Sequence, residues 1–131
     1  MHYTFELEDK VRDYECDLQG IVNNANYQHY FEHARHEFLL AHGVSFAQLH
    51  EEGCDAVVAR VELAYKTSLR PGDEYLNKLC VKQEGVKYVF HQAIFRKSDM
   101  KLCVKGKVES VAVVNGKLST HPALDALAAL E

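Results

Sequence analysis

The sequence predicts an α+β fold in which a long antiparallel sheet wraps around one central helix. From Tyr27 to Ala41 the apolar residues recur three and four positions apart, the spacing of a buried helical face. Four long segments with the alternating pattern of strands follow, and short turns join them. A core helix of about 25 Å suits strands of about 33 Å, because a twisted sheet of that length can curve around the whole helix.

Length and composition favour a single globular domain over residues 1–131. The chain is 47% apolar and 26% charged, and it has no repeat, linker or low-complexity segment that would mark a second domain. Its formal net charge of −4 argues against a nucleic-acid-binding surface, which is usually basic. We also expect no membrane partner, because no apolar run is long enough to cross a bilayer.

Cysteine usage and the N-terminal residues favour a cytoplasmic location. The four cysteines are far apart and form no Cys-x-x-Cys pair, so we expect free thiols in a reducing compartment. The first residues also lack the cationic, apolar character of an export signal.

The first half of the chain supplies one strand and the core helix. Residues 3–11 alternate apolar and polar side chains, which predicts a half-buried strand. The core helix is expected to end near Gly43, because glycine favours the left-handed conformation that terminates helices. A short helix around residues 46–49 is expected in the connection that follows.

The second half of the chain predicts strands and a final helix. In the strand predicted over residues 57–66, the odd-numbered residues from Val57 to Tyr65 are expected to share one face. Because the turns are short, we expect consecutive strands to be antiparallel neighbours. Pro122 fits the first turn of a last short helix. The later strands are predicted over residues 74–83, 86–96, 101–114 and 117–119.

The stretch from Asp17 to Arg35 carries the strongest indication of chemistry. Asp17 comes shortly before the core helix, where free backbone N–H groups and the positive end of the helix dipole gather. Amides at such a position can polarise a carbonyl oxygen while a carboxylate attacks the carbonyl or deprotonates water. The pattern therefore favours chemistry on a carbonyl.

The same stretch resembles a known enzyme family. Asp17-Leu-Gln-Gly-Ile-Val-Asn-Asn-Ala-Asn-Tyr27, followed by Tyr30-Phe-Glu-His-Ala-Arg35, is similar to the hotdog-fold acyl-CoA thioesterases of the 4-hydroxybenzoyl-CoA thioesterase type. The similarity continues at Leu63-Ala-Tyr65 and Arg70-Pro-Gly-Asp73. Many close relatives carry Tyr-His where this chain has Asn23-Asn24, so a role of that histidine side chain does not transfer.

The resemblance implies an α+β hotdog fold and an acyl-CoA thioesterase. Asp17 would be the catalytic carboxylate, acting as nucleophile or as general base, and the backbone amide of Asn24 would polarise the thioester carbonyl. Family members work as dimers, often paired into tetramers, with each active site between two subunits. They use no metal, and no cofactor beyond the CoA of the substrate.

Further residues are candidates for backbone positioning or substrate contact. Gly20 is expected to adopt a positive φ or to allow close approach of substrate. Asn24 and Asn26 could cap the helix or contact substrate, and Tyr27 opens the apolar stripe. Arg96 and Lys97 are the preferred pair for the CoA phosphates. The full substrate-binding set is Val22, Asn23, Asn26, Tyr27, Tyr65, Lys66, Arg70, Arg96 and Lys97.

Other features of the core helix favour packing over chemistry. Glu32 and Arg35 are three positions apart and are expected to pair on the helix surface. The histidines at positions 29, 33 and 36 form a stripe that could bind Zn²⁺ or Ni²⁺, although a solvated or intersubunit face is the simpler interpretation. Cys16 would point away from the face of Asp17 on an extended segment, which argues against a cysteine nucleophile.

Three other functions remain open at this stage. The thioester could be carried by an acyl carrier protein, but such carriers are acidic and the acidic balance of this chain favours free CoA. The protein could bind acyl-CoA without catalysis, against which the presence of Asp17 argues. A hotdog dehydratase would be expected to have a histidine between Asp13 and Tyr27, and none is present. The acyl group itself is not predicted.

Overall fold

A computed structural model describes all 131 residues. Its three α-helices are α1 (Asn24–Ala41), α2 (Phe46–Glu51) and α3 (Pro122–Ala128). Its six strands are β1 (Phe5–Lys10), β2 (Cys54–Tyr65), β3 (Glu74–Glu84), β4 (Lys87–Arg96), β5 (Leu102–Val114) and β6 (Lys117–Ser119). The predicted core helix, strands and two short helices are confirmed to within a few residues. No helix has both the length and the hydrophobicity needed to cross a lipid bilayer.

All six strands form one antiparallel sheet in the order β1-β3-β4-β5-β2, with β6 beside β5. The expectation that all consecutive strands are neighbours is therefore wrong for β2 and β3, which are separated in the sheet by β4 and β5. The connection between them crosses the start of α1 instead of turning back on itself. It is held there because Leu69 accepts a hydrogen bond from the Val22 amide (2.9 Å) and donates one to the Tyr27 hydroxyl (3.1 Å).

A β-bulge changes which residues of β2 face the helix. Val58 lies opposite Ser110, whereas Arg60 lies opposite Glu109, so Ala59 is an extra residue in the register. The prediction that the odd-numbered residues from Val57 to Tyr65 share one face is therefore wrong. Val58 lies on the inner face before the bulge and Val61 lies on it after the bulge, because one extra residue reverses the alternation.

The buried face of α1 packs on the middle of the sheet. Phe38 lies within 6.5 Å of Phe90, centroid to centroid, and within 5.5 Å of Phe5 on the edge strand β1. Phe31 lies so close to Gly106 of β5 that a Cβ at that glycine would be 2.8 Å from its ring. The sheet thus surrounds α1, as the predicted α+β hotdog architecture requires.

Polar side chains from the sheet also hold α1. Asn77 donates to the carbonyl of Tyr30 (2.9 Å), and Gln92 donates to that of Phe31 (3.1 Å). Gln92 in turn accepts a hydrogen bond from Arg35, which is buried. The predicted surface pair between Glu32 and Arg35 is therefore wrong, because Arg35 turns into the interior and only Glu32 is exposed.

Candidate active site

Asp17 begins a tight turn. The amide of Gly20 donates to the carbonyl of Asp17 and the amide of Asp17 donates to the carbonyl of Ile21, each at 3.0 Å. Gly20 has a φ of 74°, a conformation that only glycine adopts without strain, in line with the prediction for this residue. The Asp17 carboxylate accepts from the amide of Gln19 (3.1 Å) and is otherwise exposed in the single chain.

The turn is fastened to the start of α1. Cys16 and Val22 form an isolated antiparallel bridge across its base. The carbonyl of Glu15 accepts from the amide of Asn23 (3.1 Å) and from the side-chain amide of Asn26 (2.8 Å). The carboxylate turn and the helix start therefore form one hydrogen-bonded unit.

The helix start leaves one amide without an acceptor. Asn23 has an extended backbone (φ −63°, ψ 136°) and its side-chain oxygen accepts from the amide of Ala25 at 3.0 Å. Asn23 is therefore the cap, and not Asn24 or Asn26, because only the residue before the first helical turn can cap it in this way. The N–H of Asn24 has no hydrogen-bond acceptor within the chain, and it lies at the positive end of the helix dipole.

Two tyrosines lie close to Asn24 and Leu69. The hydroxyl of Tyr65 lies 3.4 Å from the carbonyl of Asn24, and its ring lies 5.7 Å from that of Tyr27. Tyr27 is buried and its hydroxyl accepts from Leu69, so its side chain supports the site from below. Val22 is buried in the same way. Of these residues, Tyr65 is the exposed one.

The preferred phosphate-binding pair is already occupied by carboxylates. Arg96 contacts Asp99 through two nitrogens, at 3.1 and 2.7 Å, and lowers the pKa of that carboxyl to about 2. Lys97 lies 2.6 Å from Glu8. Lys66 and Arg70, in contrast, are exposed and form no salt bridge. Among the predicted cations, these two are the ones free to meet a phosphate.

Two clefts follow α1 along the strand β2. The proximal cleft, about 320 Å³, lies next to the helix start, and the distal cleft, about 300 Å³, lies under α2 and α3. Both clefts are bordered by Glu32, Arg35 and Val58, so they meet at these residues. The proximal cleft also contacts Ala25, Gln28, His29, Phe31, Val61, Leu63 and Val108.

The remaining sequence candidates are Cys16 and the histidine stripe of α1. Burial, followed by the nearby charge of Asp17, raises the pKa of the Cys16 thiol, which keeps it protonated at neutral pH. The histidines at positions 29, 33 and 36 are exposed, and His36 packs against Phe46 with ring centroids 4.6 Å apart. No group of three or more histidine, cysteine, aspartate or glutamate side chains is placed to hold a metal ion.

Sequence reasoning missed Glu15 as an organiser of the site. Besides its two backbone contacts, its side chain accepts from the hydroxyl of Tyr30 (2.9 Å) and from the amide of Arg12 (2.8 Å). Arg12 and Glu15 are three positions apart and oppositely charged, a pattern that indicates a local capping interaction. This spacing is the feature of the sequence that could have identified Glu15.

Comparison with known proteins identifies the family. Residues 11–129 match the family model described as "Thioesterase-like superfamily". The chloroplastic acyl-acyl carrier protein thioesterases ATL3 and ATL2 of Arabidopsis thaliana are 40% identical over 73 residues and 32% identical over 111 residues. These matches cover 56% and 84% of this chain, which spans only 38% and 59% of the plant proteins.

A solved structure shows the same fold. A 1,4-dihydroxy-2-naphthoyl-CoA thioesterase from Synechocystis superposes with a TM-score of 0.88 at 16% identity, over 95% of this chain and 93% of that one. The superposition supports the hotdog architecture, and the family model covers nearly all of the chain. This protein therefore belongs to the thioesterase-like superfamily.

Proposed function

We propose that this protein hydrolyses the thioester of an acyl-CoA to a free acid and CoA. The observation that carries the proposal is the amide of Asn24, which has no acceptor. The helix start to which Asn24 belongs is joined to the Asp17 turn by hydrogen bonds to the carbonyl of Glu15. An amide without an acceptor at a helix start is a ready donor for a carbonyl oxygen. Asp17 supplies the nearby carboxylate that such a reaction needs.

The chemistry requires few groups. Asp17 attacks the thioester carbonyl or removes a proton from the attacking water, and the negative charge that develops on the carbonyl oxygen is stabilised by the Asn24 amide. One such donor typically lowers the barrier by about 3–4 kcal/mol. The leaving thiolate is stable enough to depart without a strong general acid. No metal or further cofactor takes part in this scheme.

We propose that the active form is at least a homodimer in which two chains pair along β2. This strand ends the sheet and is twelve residues long, and its outer edge has no partner. Val57, Val58 and Val61 are 46%, 45% and 38% exposed, unusual values for valines in a strand. A second copy would cover them and would also close the proximal cleft, which runs between α1 and β2.

A carrier-protein substrate is the second candidate. It is favoured by the names of the two Arabidopsis relatives, both acyl-acyl carrier protein thioesterases. Lys66 and Arg70 are free to meet either the phosphates of CoA or the acidic surface of a carrier. Hydrolysis rates for the same acyl group on CoA and on a carrier protein would separate the two, and the proposal expects the higher kcat/KM with CoA.

Substitution of Asp17 tests the proposed chemistry. We expect Asp17→Asn to lower kcat at least about 100-fold, because general acid–base contributions are typically of that size or larger. Release of free thiol from a panel of aromatic and aliphatic acyl-CoAs is the measurement. Asp13→Asn is the matched control, since Asp13 is also an exposed carboxylate of the same segment and should keep the full rate. Full activity of Asp17→Asn would contradict the catalytic assignment.

A further inference from the structure

Arg35 is a buried cation without an anionic partner. The residue is only 9% exposed and forms no salt bridge. One terminal nitrogen donates to the side-chain oxygen of Gln92 at 2.9 Å, and the guanidinium carbon lies 6.0 Å from the centroid of the Phe90 ring. Its other nitrogens have no hydrogen-bond acceptor in the chain. Buried charges in proteins are normally paired, because their desolvation is costly.

The position of this side chain indicates where a partner would come from. Arg35 borders both the proximal and the distal cleft, so it lies where the two meet. Burial lowers the pKa of the guanidinium. The charge of Glu32, one helical turn earlier, acts in the opposite direction, although Glu32 forms no salt bridge with Arg35. Arginine remains protonated in proteins even so. The free N–H groups of Arg35 are therefore available to a molecule that enters the clefts.

The distance from the helix start sets the length of such a molecule. Arg35 follows Asn24 by eleven residues, which corresponds to about 16 Å along an α-helix. Long side chains on a helix slant back toward its N-terminus, so the gap between the Asn24 amide and the guanidinium is shorter than this. An extended chain covers about 1.2 Å per bond, and roughly ten bonds would reach from one to the other.

Part of the wall between these two points is apolar. Ala25, Phe31, Val61 and Leu63 border the proximal cleft on the way from the helix start to Arg35. Methylene groups would be stabilised there by about 0.8 kcal/mol each on leaving water. Gln28, His29 and Glu32 also border this cleft, and Arg35 is the one arginine or lysine among its lining residues. The proximal cleft thus offers an apolar surface that leads from the helix start to a cation.

We infer that the acyl group of the substrate lies along α1 in the proximal cleft, and that Arg35 donates hydrogen bonds to an oxygen atom near its far end, most strongly to a carboxylate. This inference rests on the proposed thioesterase function and deepens it. The substrate class is then a medium-length acyl thioester with a remote oxygen function, in place of a plain alkyl chain. The two oxygens of a carboxylate suit the planar fork of a guanidinium.

Matched substrates test the inference on the unmodified protein. Unbranched acyl-CoAs with six to twelve carbons are compared in three forms: plain alkyl, with a terminal hydroxyl, and with a terminal carboxylate. At the best chain length we expect kcat/KM to be at least tenfold higher for the carboxylate form than for the alkyl form, with the hydroxyl form between them. Equal or faster hydrolysis of the alkyl form at every length overturns the inference and leaves the proposed function intact. Hydrolysis of none of them also overturns the inference, whereas the proposed function is overturned only if the aromatic acyl-CoAs of the wider panel are not hydrolysed either.

Substitution of the arginine tests its role directly. We expect Arg35→Met to reduce the ratio of carboxylate to alkyl kcat/KM to about one, and Arg35→Lys to keep part of it, because lysine retains the charge without the fork. A ratio within one variant does not depend on how much of the protein is folded. Lys117→Met removes an exposed cation of β6 and should leave the ratio unchanged. An unchanged ratio in Arg35→Met would assign the arginine a purely structural role.

A binding measurement covers the case in which Arg35→Met does not fold. The unmodified protein is heated with free dodecanedioate or with free dodecanoate, which differ only in the terminal carboxylate. We expect the dicarboxylate to raise the Tm by more than the monocarboxylate, and Arg35→Lys to narrow this difference. Equal shifts for the two acids would count against recognition of a remote carboxylate.

Discussion

The two edges of the sheet differ in length and in surface. The edge strand β1 has six residues, and its exposed positions carry Glu6, Glu8 and Lys10. The opposite edge strand, β2, has twelve residues and exposes Val57, Val58 and Val61. Short, charged edges resist the addition of another strand, whereas long apolar edges invite it. One edge is therefore protected against pairing and the other is suited to it.

This difference shows which parts of the molecule are complete within one chain. At the β1 edge, Glu8 also forms a salt bridge with Lys97, whose ammonium group lies 2.6 Å away. β2 also has ion pairs, from Asp55 to His50 and from Arg60 to Glu62, but its three valines stay exposed beside the open proximal cleft. We interpret the β1 side as a finished surface and the β2 side, together with the site beside it, as one that a second copy completes.

Charging the β2 edge should produce the largest effect. The double substitution Val57→Lys, Val61→Lys places a cation on each face of the strand. We expect the dimer to dissociate at least about 100-fold more readily, because like charges brought together at an interface cost several kcal/mol. Sedimentation over a range of protein concentrations measures the change, and thioesterase activity should fall with the dimer fraction.

The control for this experiment is another exposed valine. Val86 is 44% exposed but lies in the turn between β3 and β4, away from both edges. Val86→Lys should leave the association unchanged. A monomer in the unmodified protein at every concentration would contradict the pairing along β2, and so would a dimer that the double substitution does not weaken.

A contact completed within the chain should instead be independent of concentration. The hydroxyl of Tyr88 in β4 donates to the carboxylate of Asp125 at 2.5 Å and accepts from the amide of His121, which fastens α3 to the sheet. We expect Tyr88→Phe to lower the free energy of unfolding by about 2 kcal/mol, the typical contribution of a hydrogen bond to a charged group. The measurement is urea unfolding with and without Tyr88→Phe in the Val57→Lys, Val61→Lys double variant, which is expected to be monomeric. The difference in the free energy of unfolding should be the same at several protein concentrations.

The pH dependence of the same contact follows from the pKa of Tyr88. Burial, and then the hydrogen bond to Asp125, raise this pKa from 10.0 to about 12. The folded-state value is the higher one, so the contribution of the phenol is fully present below pH 10 and is lost as the pH rises through 12. The stability difference between the unmodified protein and Tyr88→Phe should therefore shrink over that range. A difference that stays constant from pH 8 to 12 would show that the phenol does not titrate as proposed.

Local patterns in the sequence were sufficient to predict the helices and the strands. The period of the apolar residues located α1, and the glycine at position 43 located its end, because both depend on neighbours a few residues away. The positive φ of Gly20 was likewise expected from the residue type. The site residues themselves came from a resemblance, since no local pattern distinguishes a catalytic aspartate from one that simply begins a turn.

Features that depend on distant parts of the chain were missed. The place of β2 at the far edge depends on its pairing with β5, about fifty residues later. The bulge at Ala59 leaves no trace in composition. Arg35 was assigned to the surface because it lies three positions from the oppositely charged Glu32, whereas in the fold it turns inward and contacts Gln92 on β4. Likewise, the contact of Glu8 with Lys97 joins distant parts of the chain, whereas the contact of Arg96 with Asp99 spans only three positions and could have been predicted from the sequence.

The smallest predicted effect concerns the start of α1, where an amide with a hydrogen-bond acceptor lies next to an amide without one. Asn23 caps the helix by accepting from Ala25, whereas the next amide, that of Asn24, has no acceptor. We expect Asn23→Ala to lower the free energy of unfolding by about 1 kcal/mol and Asn23→Ser to preserve it, because serine caps equally well. If Asn23 acts only as a cap, Asn23→Ser also keeps its kcat/KM. A loss of kcat/KM in Asn23→Ser at unchanged stability would show that the asparagine side chain contacts the substrate as well.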